Sequence, residues 1–319
     1  MPAVKAANPR EVFAAEDWRA ITTLSRWRGI WLVLHGWMVV GLATFGGAAA
    51  WAYDWRAGLL VTLFVLAILG GRQLGLSILM HDGAHGLLHP NRKTNNWLGQ
   101  WPSGAATGSD LFAYRTYHLT HHKFTQQAED PDLALSAPFP TSHDSLRRKF
   151  IRDLTGQTFY KQRRAQFAVA LRGAQFMLTS EIGDGAKTTA RTVGRFLLVQ
   201  IILLAISLLV WGWTPFLLWL TALATTFQLF LRIRNIAEHA CTPTGSGDPF
   251  THARTTQAGV IARMTVAPYW VNYHSEHHLF MGVPCYNLAA THRLLGTGGF
   301  YPRMTVSPNY RDVLAQVVR

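Results

Sequence analysis

FLLVQIILLAISLLVWGWTPFLLWLTALATTFQLFL, Phe196 to Leu231, runs for 36 residues without an Asp, Glu, Lys or Arg. A hydrocarbon layer about 30 Å thick is crossed by roughly 20 helical residues at about 1.5 Å each, so this stretch is too long for one crossing and right for two. The WGWTP segment, Trp211 to Pro215, places the turn between them. A second uncharged run of 25 residues extends from Gly29 to Tyr53, and a third, Ala57 to Met80, is interrupted only by Arg72 and Gln73. The short YDWR link between these two makes them an antiparallel hairpin. The expectation is an all-α membrane protein, with transmembrane helices at 29–53, 57–80, 196–213 and 214–232 in two hairpins and a helical cap formed by 81–193 and 233–319.

Composition agrees with this. Of the 319 residues 49% are hydrophobic and only 15% charged, against about 25% charged in soluble proteins, and there are 12 Trp. Cys241 and Cys285 cannot build a disulfide framework and neither belongs to a CxxC pair, so packing is their default role. The first apolar run is too long for a signal peptide and lacks a small-residue cleavage site, so it is expected to remain as an anchor behind a leader carrying Lys5, Arg10, Glu11, Glu16 and Asp17. No fixed-period repeat, low-complexity tract or Gly/Ser linker divides the chain, which reads as one integral-membrane domain, 1–319. The segment Phe159 to Leu178 mixes apolar residues with Lys161, Arg163, Arg164 and Arg172 and suits a helix lying in the interface.

Charge sets the orientation. Between His81 and Val193 there are 14 Lys and Arg, with five more before Gly29 and eight from Arg232 onward, whereas the two tight hairpin turns carry only Arg56. By the positive-inside rule both termini and the cap are cytoplasmic, in what is expected to be a bacterial inner membrane. The net charge of +13 is therefore a topology signal, and no motif for a nucleic-acid partner accompanies it.

With that orientation the histidines collect on one side. HDGAH holds His81 and His85 one helical turn apart at the end of the second span. YHLTHHKFTQQAEDPDL, from Tyr117, holds His118, His121 and His122 at i, i+3 and i+4, which points all three from one helix face. RNIAEHA follows the fourth span with Asn235 and His239, and HSEHH repeats the triplet spacing with His274, His277 and His278. A single triplet reads as a solvated helix face; nine histidines on one side read as metal ligands. Imidazole suits Zn, Cu, Fe and Ni, and the lack of Cys ligands argues against Fe–S clusters and most structural zinc sites. Nine ligands are too many for one ion and serve two with four or five nitrogens each. Neutral imidazoles leave the ions their full charge, which suits a centre that accepts electrons and binds dioxygen, and iron is favoured.

HDGAH, HLTHH and HSEHHLF, with Asn235 and His239 between the last two, resemble the three histidine boxes of the membrane fatty acid desaturase and hydroxylase superfamily. The resemblance covers about Arg72 to Leu295, including YRTYHLTHHKFTQQAEDPDL and YHSEHHLFMGVP. It implies a di-iron centre that takes dioxygen as co-substrate. By likeness to stearoyl-CoA desaturases, one iron would bind His81, His85, His118, His122 and His278. The other would bind His121, His239, His274 and His277, with Asn235 acting through a water. The first box is HxxxH where the acyl-CoA enzymes have HxxxxH, and no HPGG cytochrome b5 signature occurs, which implies a separate electron donor of ferredoxin or cytochrome b5 type. The implied activity is desaturation of a fatty acyl lipid; a hydroxylase or carotenoid ketolase of the same superfamily would share the site. A metal transporter or bis-haem carrier would place its ligands inside the spans.

Further residues carry expectations of their own. Arg72 lies about 13 Å below His81 along the helix, where an ionisable group is costly, and is expected either to hold a polar group or to pair between helices. Asp130, Asp132, Glu238 and Glu276 are candidates to orient ligand imidazoles. His89 precedes Pro90, and His35, His143, His252 and His292 lack partners at ligand spacing, so all five are left out of the metal set. At least one of Gly75, Leu76 and Leu79, on the turns just below His81, is expected to line an acyl tunnel.

Overall fold

A computed structural model of the chain describes residues 4, 6–176 and 184–319. Lys5 and the last two residues of the expected interfacial segment, Met177 and Leu178, lie outside these. Among the described residues four helical segments are long and apolar enough to cross a membrane: Arg28–Tyr53, Trp55–His85, Gly185–Val210 and Thr214–His239.

Helix α1, Arg28–Tyr53, and helix α2, Trp55–His85, are joined through Asp54 alone. Its carboxylate accepts the backbone N–H groups of Arg56 and Ala57, at 2.9 and 3.2 Å, so one residue ends the first helix and caps the second. Gly58 lets the pair close: a Cβ there would fall 2.4 Å from the Trp51 ring. Outside the contact, Leu42, Leu59, Leu60, Leu63 and Phe64 are exposed, as lipid-facing side chains must be. α2 is longer than its apolar run. It continues through the first box and ends at Gly86, whose φ of 84° is the left-handed C-cap that glycine adopts without a Cβ clash. His81 and His85 therefore ride on the last turns of the span helix.

In the cap, helix α3, Leu111–Phe124, is capped by Asp110, which accepts from the N–H groups of Phe112 and Ala113 at 3.0 Å. Helix α4, Gln157–Phe176, covers most of the expected interfacial segment and packs on helix α5, Asp184–Val210, through Arg163, whose guanidinium carbon sits 4.5 Å from the Phe196 ring centre. α5 begins well before the expected 196, and on this extension Arg195 forms an ion pair with Asp110. The turn at Trp211–Trp213 uses Gly212 at φ 118° and leads into helix α6, Thr214–Ala224. Thr225 then breaks the run before helix α7, Thr226–His239, which carries Asn235 and His239 on its last turns. The break brings α7 onto α2, where the Thr226 hydroxyl donates to the Leu66 carbonyl at 2.6 Å.

Polar ties cross the apolar layer between helices. Gln73 donates to the Trp219 carbonyl at 2.9 Å, and the Trp219 indole donates to Gln200 at 2.9 Å. The core wraps Leu74, Ile78 and Leu79 of α2 with Leu223, Phe227 and Tyr269. Leu76 and Leu79 are fully buried, and a Cβ on Gly75 would meet the Tyr269 ring at 2.6 Å. The expected tunnel wall is thus packed with protein, and a larger residue at Gly75 would displace Tyr269 before it met a ligand. Past α7 the all-helical expectation has one addition. Strands β1, Arg254–Thr256, and β2, Thr305–Ser307, pair in parallel and support helix α8, His274–Leu279, through Ser275, whose hydroxyl donates to the Ala253 carbonyl at 2.7 Å.

Candidate metal centre

α2, α3, α7 and α8 bring the nine histidines of the boxes together in two adjoining groups. His81, His85, His118, His122 and His277 form one, and His121, His239, His274 and His278 the other; within each, one ring nitrogen per residue lies within 4.8 Å of all the rest. His277 and His278 have exchanged places relative to the division implied by resemblance. They are neighbours on one turn of α8, so their rings leave in different directions, toward α2 and α7 respectively. The groups touch where the His122 and His278 rings stack at 4.2 Å between centroids.

Hydrogen bonds outside the cluster decide what the rings present within it. His239 Nδ1 faces the carbonyl of His252 at 3.0 Å, and a carbonyl only accepts, so Nδ1 carries the proton and Nε2 a bare lone pair. His121 Nδ1 faces the Asp130 carboxylate at 2.8 Å, with the same result. The Thr125 hydroxyl gives its one proton to the His121 carbonyl, at 2.8 Å, so it must accept from His278 Nδ1 at 3.3 Å. His274 Nδ1 lies 3.2 Å from a carboxylate oxygen of Glu238, which Arg234 also holds. The Nε2 atoms of His121, His239 and His278 are thus bare and meet His274 Nε2 inside the group, at 2.9 Å for His239 to His274, 3.0 Å for His274 to His278 and 3.3 Å for His121 to His278. Lone pairs at that range repel unless a cation lies between them. Ligand nitrogens about 2.1 Å from one ion and at right angles stand about 3.0 Å apart.

The other group has the same spacing, 2.9 Å from His122 Nε2 to His118 Nε2 and 3.0 Å to His277 Nε2. Both nitrogens of His81 and Nε2 of His85 are buried with no hydrogen-bond partner, a costly arrangement that a metal would relieve. Burial first, and crowding by neighbouring imidazoles second, hold His118, His122, His274, His277 and His278 well below the ordinary histidine pKa of 6.5. They are neutral at physiological pH, as ligands must be. The residues therefore fit two metal ions. A cavity of about 20 Å³ lined by Tyr114, His118, His121, Asn235, His239 and His274 opens beside them, room for a water-sized ligand.

Of the acidic candidates, Asp130 and Glu238 face ligand rings. Asp132 is more distant, 3.8 Å from His121 Nδ1, and its carboxylate accepts the Tyr117 hydroxyl at 2.5 Å. Glu276 points away from the cluster, to the Thr255 hydroxyl and to His292 Nδ1, both at 2.5 Å, and braces α8 from behind. Asn235 lines the small cavity with its side-chain oxygen on Arg234, 3.1 Å away. His35, His89, His143, His252 and His292 all stay outside the two groups. Thr125 and the His252 carbonyl were not foreseen: a backbone oxygen has no residue type to announce it, and a threonine one turn past HLTHH is ordinary.

Comparison with known proteins adds independent findings. A family model described as "Fatty acid desaturase" matches residues 54–305. "Beta-carotene ketolase" of Paracoccus sp. (strain PC1) is 30% identical over 109 residues, which are 34% of this chain and 40% of the ketolase. "Dihydrorhizobitoxine desaturase" of Bradyrhizobium elkanii is 24% identical over 250 residues, 77% of this chain and 71% of that protein. The match to the ketolase thus spans less than half of its length.

Proposed function

Because the chain belongs to the fatty acid desaturase family, we propose that it is a membrane oxidoreductase that uses two iron ions and dioxygen to introduce a double bond into a fatty acyl lipid. The observation that carries this reading is the pair of converging imidazole groups. All nine histidines and Asn235 are assigned to the metal centre, Asn235 through a water. His81, His85, His118, His122 and His277 would hold one ion and His121, His239, His274 and His278 the other.

A methylene has no acidic proton and no leaving group, so no side chain of this protein can activate it. Two bound irons would supply the redox capacity. Over the whole reaction the chain loses two hydrogens, and dioxygen, two electrons and two protons complete the formation of two waters. A separate ferredoxin or cytochrome b5-type protein would bring the electrons. The protein's own groups set geometry and charge. Asp130, Thr125 and the His252 carbonyl fix the ring tautomers of His121, His278 and His239, and Glu238 lies 3.2 Å from His274 Nδ1. Burial keeps the rings of His118, His122, His274, His277 and His278 neutral and excludes bulk water. Asp130→Ala, which strands the His121 N–H together with the backbone N–H groups of Gln126 and Asp132, should weaken metal affinity about 10- to 100-fold. Competition with a chelator measures this, and wild-type affinity would remove Asp130 from the role.

The residues 1–319 are read as one domain with both termini and the metal centre on the cytoplasmic side of a bacterial inner membrane. Reporters fused near Ser142 and after Arg319 should then score cytoplasmic and one at Asp54 the opposite; matching signals at Asp54 and Ser142 would refute it. Elemental analysis of purified protein tests the cofactor, with about two irons per chain expected and one metal, or none, against it. The ketolase likeness favours a second reading, insertion of oxygen into a carotenoid by the same centre.

A further inference from the structure

A mainly apolar cavity with two arginines in its lining lies along α1 and α2, below the metal centre. Its volume is about 300 Å³, and Trp31, His35, Arg72, Arg263, Tyr269 and Asn272 are among its lining residues. Arg72 is only 8% exposed. One of its nitrogens donates to the carbonyls of Arg263 and Met264, at 3.0 and 3.3 Å, and its guanidinium carbon sits 5.4 Å from the Tyr269 ring centre. Among the described residues no carboxylate pairs with Arg72 or with Arg263, and no Asp or Glu lines the cavity. The two carbonyls and the Tyr269 ring hold the guanidinium but leave its charge without a counter-charge, which favours an anion bound beside it. Tyr269 and Trp270 hold φ values of 50° and 60°, a pairing of left-handed aromatic residues that the surroundings must enforce.

Position narrows the occupant. His35 is about 10 Å along α1 from Arg28, and Arg72 about 13 Å along α2 from His81. That is about two helical turns inside the hydrocarbon layer, a depth that an anion reaches from the head-group region with its acyl chain beside it. Trp31 at the rim is 57% exposed, and Val260 and Ile261 on the adjoining segment are 75% and 80% exposed, an apolar surround open to lipid.

We propose that this cavity binds the anionic head, a carboxylate or a phosphate, of an amphiphile that enters from the membrane, with Arg72 and Arg263 as its counter-charges. The site goes beyond the reaction assigned to the histidines, and binding is read without turnover, so it stands or falls independently of desaturation. The test is native mass spectrometry or calorimetry on the full-length protein in neutral detergent at pH 8, with palmitate, dipalmitoyl phosphatidic acid, hexadecanol and inorganic phosphate as probes. One equivalent of palmitate or of phosphatidic acid should bind, and the tighter of the two names the head. Hexadecanol should bind at least about tenfold more weakly. Arg72→Gln should cost about tenfold or more. Arg263→Gln, an exposed side chain whose loss spares the fold, should cost about threefold or more and decides the matter if the Arg72 variant does not fold. Arg303→Gln, on the cap beside Asp248, should change nothing. Hexadecanol binding as well as palmitate, wild-type affinity in the Arg263 variant, an equal loss in the Arg303 variant, or inorganic phosphate competing as strongly as phosphatidic acid would each overturn the proposal.

Discussion

Replacing His122 by Ala will lower the metal content of the purified protein and reduce turnover more than about 100-fold, since even groups that merely orient metal ligands are worth about 10- to 100-fold. His122 is the severest choice in its group. Its Nε2 is within 3.0 Å of both His118 Nε2 and His277 Nε2, and its ring stacks at 4.2 Å on His278 of the second group. Its loss therefore opens one set of ligands and unseats a member of the other. His292→Ala should leave metal binding largely in place, because His292 meets Glu276 behind α8 and no ligand ring. Metal content with and without each substitution separates the cases; a His122 variant that keeps both ions would exclude His122 as a ligand.

The second large effect is expected on acidification of metal-free protein. His118, His122, His274, His277 and His278 have pKa values held well below 6.5 by burial. Below about pH 6.5 the unfolded chain binds protons at these positions and the folded chain resists them, so stability is lost as pH falls. Each such histidine contributes up to about 1.4 kcal/mol per pH unit. With five acting together, the melting temperature in detergent should drop steeply between pH 6.5 and 5.5, and bound metal should oppose the drop until protons displace it. A flat melting temperature across that range in the metal-free protein would contradict neutral burial of the cluster.

Much of this was legible in the sequence because two of its signals are simple. Charge-free length reports crossing helices, and i, i+3, i+4 histidines report a shared helix face. Each signal also has a limit that the structure exposes. Apolarity reports lipid depth rather than helix ends, so α2 and α7 run on into the boxes and α5 starts before its apolar part. Spacing places His277 and His278 near a metal but cannot say which, because the two groups are separated by less than the reach of one imidazole. Arg72 was marked as costly, but its partners, two carbonyls at the end of a five-residue helix, Val260–Met264, leave no pattern in the chain. Glu276 looked like a ligand's partner because it stands between His274 and His277; on a helix that spacing sends it to the opposite side.

The most direct test of the whole account is product analysis. Lipids from a host with and without the gene, or from purified protein given dioxygen and a reductant, should show by mass spectrometry a mono-unsaturated acyl chain two hydrogens lighter than its precursor, absent without oxygen and absent in the His122 variant. A product heavier by one oxygen would contradict desaturation and favour the hydroxylase or ketolase reading, and lipids and carotenoids that remain unchanged would contradict both.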